Sequence, residues 1–486
     1  MSLRQSMSGL HTWSGLLVSW LLFVVIFSGS LSCFEPELTR WMLPQLHEAQ
    51  QPAVGVDQVH AALVERAPKA HAYWMLPPTE RGPYWTAGWV PSDLSAFRSF
   101  LIDAQTGEEL PKTVGGGFFF ELHYALHAGT LGIYIVGIAG MFMLVALVSG
   151  VIVHRRIFKD FFTLRPKAAR QRSWLDAHNV LGVIGLPFHV LLAYTGLVIF
   201  ITLYMQAGIK VAYKGDFERF EHEVQHAFDR EELGRPAKPP KPISRMVERA
   251  REQWGDDSRV GWINLEHPND ASSMVQIRRA VDRGMVNDQR TVSFDAATGA
   301  LLHVQPPYGN GYKTYAWLTG LHMAQFGGTL VRILYLLLGL VGCGMIFGGL
   351  QVWVAKREAR GSAGLGLVRT LNAAVCGGLP LASLDAYVDR HAGHPLQVAD
   401  LARLAGLSAA RFHARFLAET GQTPMDYVRQ RRLQLGRELL CATHLAVGEI
   451  AARVGYASQS AFTAALVRQF GSTPRQIRRE ARDNSR

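Results

Sequence analysis

Four stretches free of Asp, Glu, Lys and Arg punctuate the chain: 30 residues between Arg4 and Glu35, 33 between Glu121 and Arg155, 33 between Asp176 and Lys210, and 23 between Arg332 and Lys356. About 20 apolar residues suffice to cross a bilayer. The pattern therefore predicts spans at about 11–33, 129–153, 179–205 and 330–354. After Lys356 the chain contains no further Lys, becomes rich in Arg, and alternates apolar and polar positions at helical spacing. The expected fold is mainly α: a four-span membrane unit over residues 1–357, a linker over 358–378, and an all-α block over 379–486.

Charge sets the expected orientation. The connection from His154 to Ala177 carries Arg155, Arg156, Lys159, Arg165, Lys167, Arg170 and Arg172 against Asp160 and Asp176. Lys and Arg concentrate in cytosolic loops, so this loop, both termini and the cluster Lys356, Arg357, Arg360 are expected in the cytosol, at a bacterial inner membrane. Segments 35–121 and 207–328 then lie outside, in the periplasm. An alternative for the first span is a signal peptide, with Ser30-Leu31-Ser32-Cys33 as a loose lipoprotein box; its apolar stretch is long for that role. The four cysteines, Cys33, Cys343, Cys376 and Cys441, have no CxxC spacing and suggest neither a zinc site nor a disulfide framework.

The chain is also written twice. His11-Thr-Trp-Ser-Gly15 and Ser28-Gly29 match His178-Asn-Val-Leu-Gly182 and Thr195-Gly196 at an offset of 167. Ala128-Gly-Thr-Leu131 matches Gly327-Gly-Thr-Leu330 at an offset of 199, which sets His123 over His322. Ile102-Asp-Ala-Gln-Thr-Gly107 returns as Phe294-Asp-Ala-Ala-Thr-Gly299, a turn closing an α+β unit. Span, outer domain, span is thus repeated, and an even number of crossings makes the copies parallel, related by an axis along the membrane normal.

That symmetry pairs His11 with His178 at the inner face and His123 with His322 at the outer face. Two neutral imidazoles facing each other across an apolar slot are what a bis-histidine haem needs. The reading expects up to two b-type haems, one per leaflet. His127, His189 and His154 are rival ligands: His127 lies one turn from His123 and so is expected on the same helix face, His189 sits deep in an apolar span, and His154 closes the second span, its repeat counterpart being Trp353. The competing reading is that these are interfacial histidines duplicated by descent.

Residues 1 to about 357 resemble the PepSY-associated transmembrane family, which includes siderophore-iron reductases and iron-regulated membrane proteins. The resemblance rests on the leading His-x-x-x-Gly, the Ser/Thr-Gly span centres, the Asp-x-x-Thr-Gly turns, and Leu122-His123 before the Gly-rich entry to span two. It implies PepSY-like periplasmic domains and, in some members, haem-linked reduction of ferric siderophores.

The C-terminal block repeats a sentence of its own. Val398 to Ala405, a turn at Gly406-Leu-Ser408 and a helix from Ala409 to Glu419 return as Val447 to Val454, Gly455-Tyr-Ala-Ser458 and Gln459 to Phe470, with Tyr427 to Leu440 as a connecting helix. Phe412, Phe416, Phe462 and Phe470 are expected as core anchors. Ala402 to Ser408, Phe416, Gly421, Pro424, Arg432-Leu433, Leu439-Leu440, Ile450-Ala451, Gly455-Tyr456, Phe462, Phe470-Gly471 and Thr473-Pro474 resemble the DNA-binding domain of the AraC/XylS family. That implies two recognition helices in successive major grooves about 34 Å apart. From Leu379 onward 15 Arg face 9 Asp plus Glu, a balance suited to phosphate. Arg411, His413, Gln459, Ser460 and Thr463 are the candidate groove-facing residues, with Arg415 and Arg468 as candidate phosphate contacts. Ala410, Ala414, Ala461 and Ala464 stand where family members use larger polar groups, which implies modest base readout.

Two functions follow as expectations. One is a membrane-tethered transcriptional regulator that binds double-stranded DNA and responds to iron, siderophore or envelope redox state. The other is a haem-containing ferric-siderophore reductase with the helix-turn-helix block as a fused passenger. The sequence carries no NAD or flavin motif, so the second reading needs an external electron donor.

Overall fold

The computed structural model describes residues 2–48, 51–94, 97–153, 163–166, 168–256, 258–281, 284–358, 365–376 and 381–483. It separates into two compact units, Met1–Asp160 with Leu181–Gly344, and Phe161–Val180 with Met345–Arg486.

Four helices are long and apolar enough to cross a membrane: Leu3–Ser32, Gly129–Val153, Arg170–Ile199 and Gly328–Glu358. The first, third and fourth begin ahead of the expected spans, because the helix extends into flanking polar residues. The third instead stops at Ile199, where Phe200 leaves the helical region and a short turn, Ile201–Tyr204, follows. The second and fourth spans are each preceded by a short helix, Gly117–Ala125 and Asn310–Met323. Left-handed residues break the chain between helix and span: Leu126, His127 and Gly129 in the first copy, Ala324, Gly327 and Gly328 in the second.

Between the spans the expectation of two separate outer domains needs correction. The strands form one seven-stranded antiparallel sheet in the order β3-β2-β1-β4-β5-β6-β7. β1 (Ala72–Leu76), β2 (Tyr84–Val90) and β3 (Arg98–Asp103) come from the first copy. β4 (Val260–Glu266), β5 (Met274–Arg279), β6 (Thr291–Asp295) and β7 (Leu301–Val304) come from the second. Alone, each copy would leave β1 or β4 as an edge with unpaired peptide groups. Pairing them from Ala72↔Glu266 to Met75↔Ile263 satisfies both.

One apolar core then serves both copies. It is built on inward residues such as Met75, Ala87, Ile263, Val275 and Phe294, with Val59 and Leu63 of helix Val56–Arg66 and Ile243 and Met246 of helix Ile243–Trp254. A cap in trans reinforces the join: Asp57 Oδ1 accepts the Ile243 N–H at 2.6 Å, and its Oδ2 accepts the Ser244 hydroxyl at 2.5 Å. Pro242 stands at that helix's N-cap, where it offers no capping side chain. The repeated turns are equivalent in detail. Asp103 Oδ1 accepts from Thr106 N at 3.1 Å and Asp295 Oδ1 from Thr298 N at 2.9 Å, each leading to a left-handed Gly, Gly107 and Gly299.

In the other unit the expected helix-turn-helix elements are all present. Helices Val398–Leu404 and Ala409–Thr420 form the first pair, Val447–Arg453 and Gln459–Phe470 the second, and Pro424–Ala442 joins them. Two cores flank the joining helix. Leu401, Phe412, Phe416 and Val428 build one; Leu433, Leu440, Ile450, Phe462 and Leu466 build the other. Phe470 departs from expectation: it is only half-buried, with the Arg437 guanidinium 5.2 Å above its ring.

The segment read as a linker is helical over part of its described residues. Leu365–Cys376 forms a helix that packs on a further helix, Leu381–Arg390. Glu358, at the end of the fourth span's helix, pairs with Arg170 at 2.9 Å and with Arg369. Asp389 pairs with Arg431 at 2.6 Å. These ion pairs are invisible as a pattern in sequence.

Candidate functional site

Three of the four repeat histidines set Nδ1 against a backbone carbonyl, and His322 sets it against a hydroxyl. His123 Nδ1 lies 2.8 Å from the Val25 carbonyl, and His322 engages the Leu192 carbonyl with its Nδ1 3.0 Å from Thr195 Oγ1. His11 Nδ1 lies 2.8 Å from the Ala146 carbonyl, and His178 Nδ1 2.7 Å from the Met345 carbonyl. Val25 and Leu192 are separated by 167 positions and Ala146 and Met345 by 199, the same offsets found in the sequence. An Nδ1–H donated to a carbonyl fixes the tautomer and leaves the Nε2 lone pair as the basic site.

Each ring also rests on a glycine. A Cβ on Gly29 would come within 2.5 Å of His123 Nδ1, and one on Gly196 within 3.0 Å of His322 Cε1. Gly150 and Gly349 stand 3.1 Å by the same measure from His11 Cε1 and His178 Cε1.

His123 and His322 are brought together. Their ring centres are 6.0 Å apart with planes inclined by 27°. A metal–imidazole bond of about 2 Å on each side puts two ring centres about 6 Å apart, so the pair has the spacing of two axial ligands on one metal. Both line a cavity of about 440 Å³ with Phe120, Phe188, Leu192 and Tyr335, a size in the usual range of about 300–1,000 Å³ for small-molecule sites.

The rivals fare differently. His127 is not on the helix of His123, because that helix ends at Ala125 and His127 itself is left-handed. Its Nε2 lies 3.0 Å from the Phe118 carbonyl and its Nδ1 3.1 Å from Glu121, so both nitrogens have local partners. His189 is buried and lines the same cavity, with Nε2 3.1 Å from the Leu338 carbonyl and Nδ1 buried without a hydrogen-bond partner among the described residues. It remains a ligand candidate on geometry. His154 lies outside the described residues.

On the helix-turn-helix unit, Ser408 and Ser458 cap the two recognition helices, accepting from Arg411 N and Ala461 N. Arg411, His413 and Arg415 are exposed on the first helix, and Gln459, Ser460 and Arg468 on the second; Thr463 is half-buried. Ala410, Ala414, Ala461 and Ala464 are exposed between them, so each helix presents few groups able to reach base edges. Behind the first helix, burial and then the neighbouring Asp385 carboxylate push the Tyr427 hydroxyl well above the usual tyrosine range. Tyr427 therefore stays a neutral donor to Asp385, tying the joining helix to Leu381–Arg390.

The sequence reading missed Gly150 and Gly349 as ring supports. Their signal was present, since Ser149-Gly150 and Gly348-Gly349 repeat at the offset of 199. It also missed Glu358, Arg369 and Asp389, for which nothing in the local pattern speaks.

A family model described as the PepSY-associated TM region matches residues 8–356, and one described as a helix-turn-helix domain matches residues 401–480. An uncharacterized protein of Pseudomonas aeruginosa is 26% identical over 282 residues, covering 54% of this chain and 69% of that protein. The regulatory protein SoxS of Escherichia coli is 38% identical over 95 residues, 20% of this chain and 89% of SoxS. LumQ, a probable transcriptional regulator of Photobacterium leiognathi, is 32% identical over 96 residues, 20% of this chain and 39% of LumQ. Among solved structures, the DNA-binding domain of AdpA in complex with a target DNA is 31% identical, covering 22% of this chain and 96% of that one at a TM-score of 0.20. With its spans matched over nearly three quarters of its length, the chain belongs to the PepSY-associated transmembrane family and carries, after its last span, an AraC-type DNA-binding domain.

Proposed function

We propose that this protein is an inner-membrane transcriptional regulator, with both termini in the cytosol, whose outer sheet domain and histidine cavity receive the signal and whose helix-turn-helix pair acts on promoters. The carrying observation is continuity. One chain joins four spans to a DNA-binding domain with two complete cores. A passenger has no need to keep both cores complete, which is why the reductase reading is second.

We further propose that His123 and His322 hold a b-type haem. The residues fit the group: rings at the spacing of two metal ligands, a His123 tautomer fixed by the Val25 carbonyl, and at Gly29 a position where a Cβ would displace the ring. When bound, haem supplies a one-electron couple. The chain's own contribution is to orient the imidazoles and keep the cavity apolar. A haem state sensitive to iron supply or envelope redox conditions is then the natural input, with a ferric siderophore and a separate electron donor as the chemistry that would address it.

Topology is the first test. A reporter active only in the periplasm, fused after Arg486, should be silent, and the same reporter inserted near Thr106 should be active. The reversed outcome would place the DNA-binding domain away from DNA and end the proposal.

A further inference from the structure

The antiparallel register of β1 and β4 pairs Ala72 with Glu266. It thereby sets His71, one residue before β1, beside His267, one residue after β4. Their rings meet edge to face with centres 5.4 Å apart. His267 holds the left-handed backbone conformation at φ 49°, an unfavourable state for a residue with a Cβ and one that concentrates at functional sites.

A third group comes from the stretch before helix Ile243–Trp254. Glu232 Oε1 lies 2.9 Å from His267 Nδ1 and 3.7 Å from His71 Nδ1. The backbone beside it is fastened, because Asp270 accepts from Leu233 N at 2.9 Å and from Arg235 N at 3.0 Å. Glu232 is thus delivered to the two rings by structure on its C-terminal side, although its own carboxylate is exposed.

We propose that His71, Glu232 and His267 bind a divalent first-row transition-metal ion. One donor atom from each residue lies within 4.8 Å of the other two. Four-coordinate ions with bonds of about 2.0–2.2 Å separate their ligands by about 3.2–3.6 Å, so small side-chain rotations complete the site. Two imidazoles and one carboxylate suit zinc, ferrous or cupric ions and exclude the all-oxygen preference of calcium and magnesium. A simple histidine–carboxylate hydrogen bond accounts for His267 and Glu232 alone. It does not account for the second ring or for the strained backbone.

The donors come from both copies of the repeat, so the ion ties the first outer segment to the second across the β1–β4 seam and pins the stretch around Glu232. The site shares no residue with the histidine cavity or the recognition helices, and it stands or falls independently of the regulator and haem readings.

Zinc is the probe. Metal-stripped full-length protein in detergent, dialysed against Zn²⁺, is expected to take up an ion whose X-ray absorption spectrum shows two imidazoles, an oxygen and no sulfur. His71→Ala with His267→Ala, and separately Glu232→Gln, should weaken zinc binding by about tenfold or more. Wild-type protein that takes up no zinc, unchanged affinity in the double variant, or sulfur ligation by a cysteine would each overturn the proposal. If the double variant does not accumulate, the wild-type spectrum decides alone.

Discussion

Protein carrying His123→Ala together with His322→Ala is expected to lose the outer haem signal completely in a reduced-minus-oxidised absorption spectrum of the purified full-length chain. In the haem proposal each imidazole would supply one ligand, and the two stand at a 6.0 Å spacing. A subtler substitution should act through geometry. Gly29→Ala brings a Cβ within 2.5 Å of His123 Nδ1, a contact that forces the ring off its bond to Val25. It should reduce the outer haem nearly as far as removing the ligand. Gly15→Ala, where an added Cβ meets nothing within 4 Å, is the matched control and should leave the spectrum unchanged. His127→Ala should also be silent, whereas a loss on His189→Ala alone would move the assignment to that residue. A colourless wild-type preparation from haem-replete cells would remove the haem reading altogether.

Phe462→Ala is expected to cost about 3–5 kcal/mol, since it removes a large side chain from a closed core. Phe462 has 0% of its surface exposed and packs with Leu433, Leu440, Ile450 and Leu466. Domains of this size are stable by only about 5–15 kcal/mol, so the second helix-turn-helix should be largely lost. Urea unfolding of fragment 379–486 measures the stability change, and DNA binding by the same fragment should fall with it. Phe412→Ala should do the same to the first core. Phe470→Ala should cost markedly less, because its ring is half-buried at the rim under Arg437. Equal losses at Phe462 and Phe470 would contradict the division of roles.

Much of this was legible in the residues. Uncharged runs long enough to span a bilayer announced the four helices, and the second begins where expected, at Gly129. The helix-turn-helix pair was equally plain, because a capping serine, a fixed turn and recurring apolar positions act locally: Gln459–Phe470 begins and ends where its sequence says. Repeat offsets set His123 over His322, and those two rings do meet, since a duplicated environment carries its histidines and their carbonyl partners together. What escaped was long-range. The pairing of β1 with β4 is between edges that local alternation cannot assign to one another, so one sheet was read as two domains. Arg170 and Glu358 are 188 positions apart, and charge at either place looks like any solvated surface. His127 was misplaced because the left-handed break at Leu126 has no glycine to mark it. Phe470 was read as buried because an aromatic at helical spacing does not disclose that an arginine covers it.

Arg411 and Gln459 carry the central claim. A base-reading contact is worth about 1–3 kcal/mol, and a phosphate contact lowers the salt slope by about one. Neither side chain belongs to a core, since both are exposed on their recognition helices, so Arg411→Ala and Gln459→Ala should leave membrane insertion and folding intact. The decisive measurement is immunoprecipitation of the full-length, membrane-inserted protein from cells, followed by sequencing of the DNA it holds. The account predicts enrichment of discrete promoter regions that declines in the Arg411→Ala and Gln459→Ala variants. Intact protein in the membrane with no promoter enrichment would contradict it.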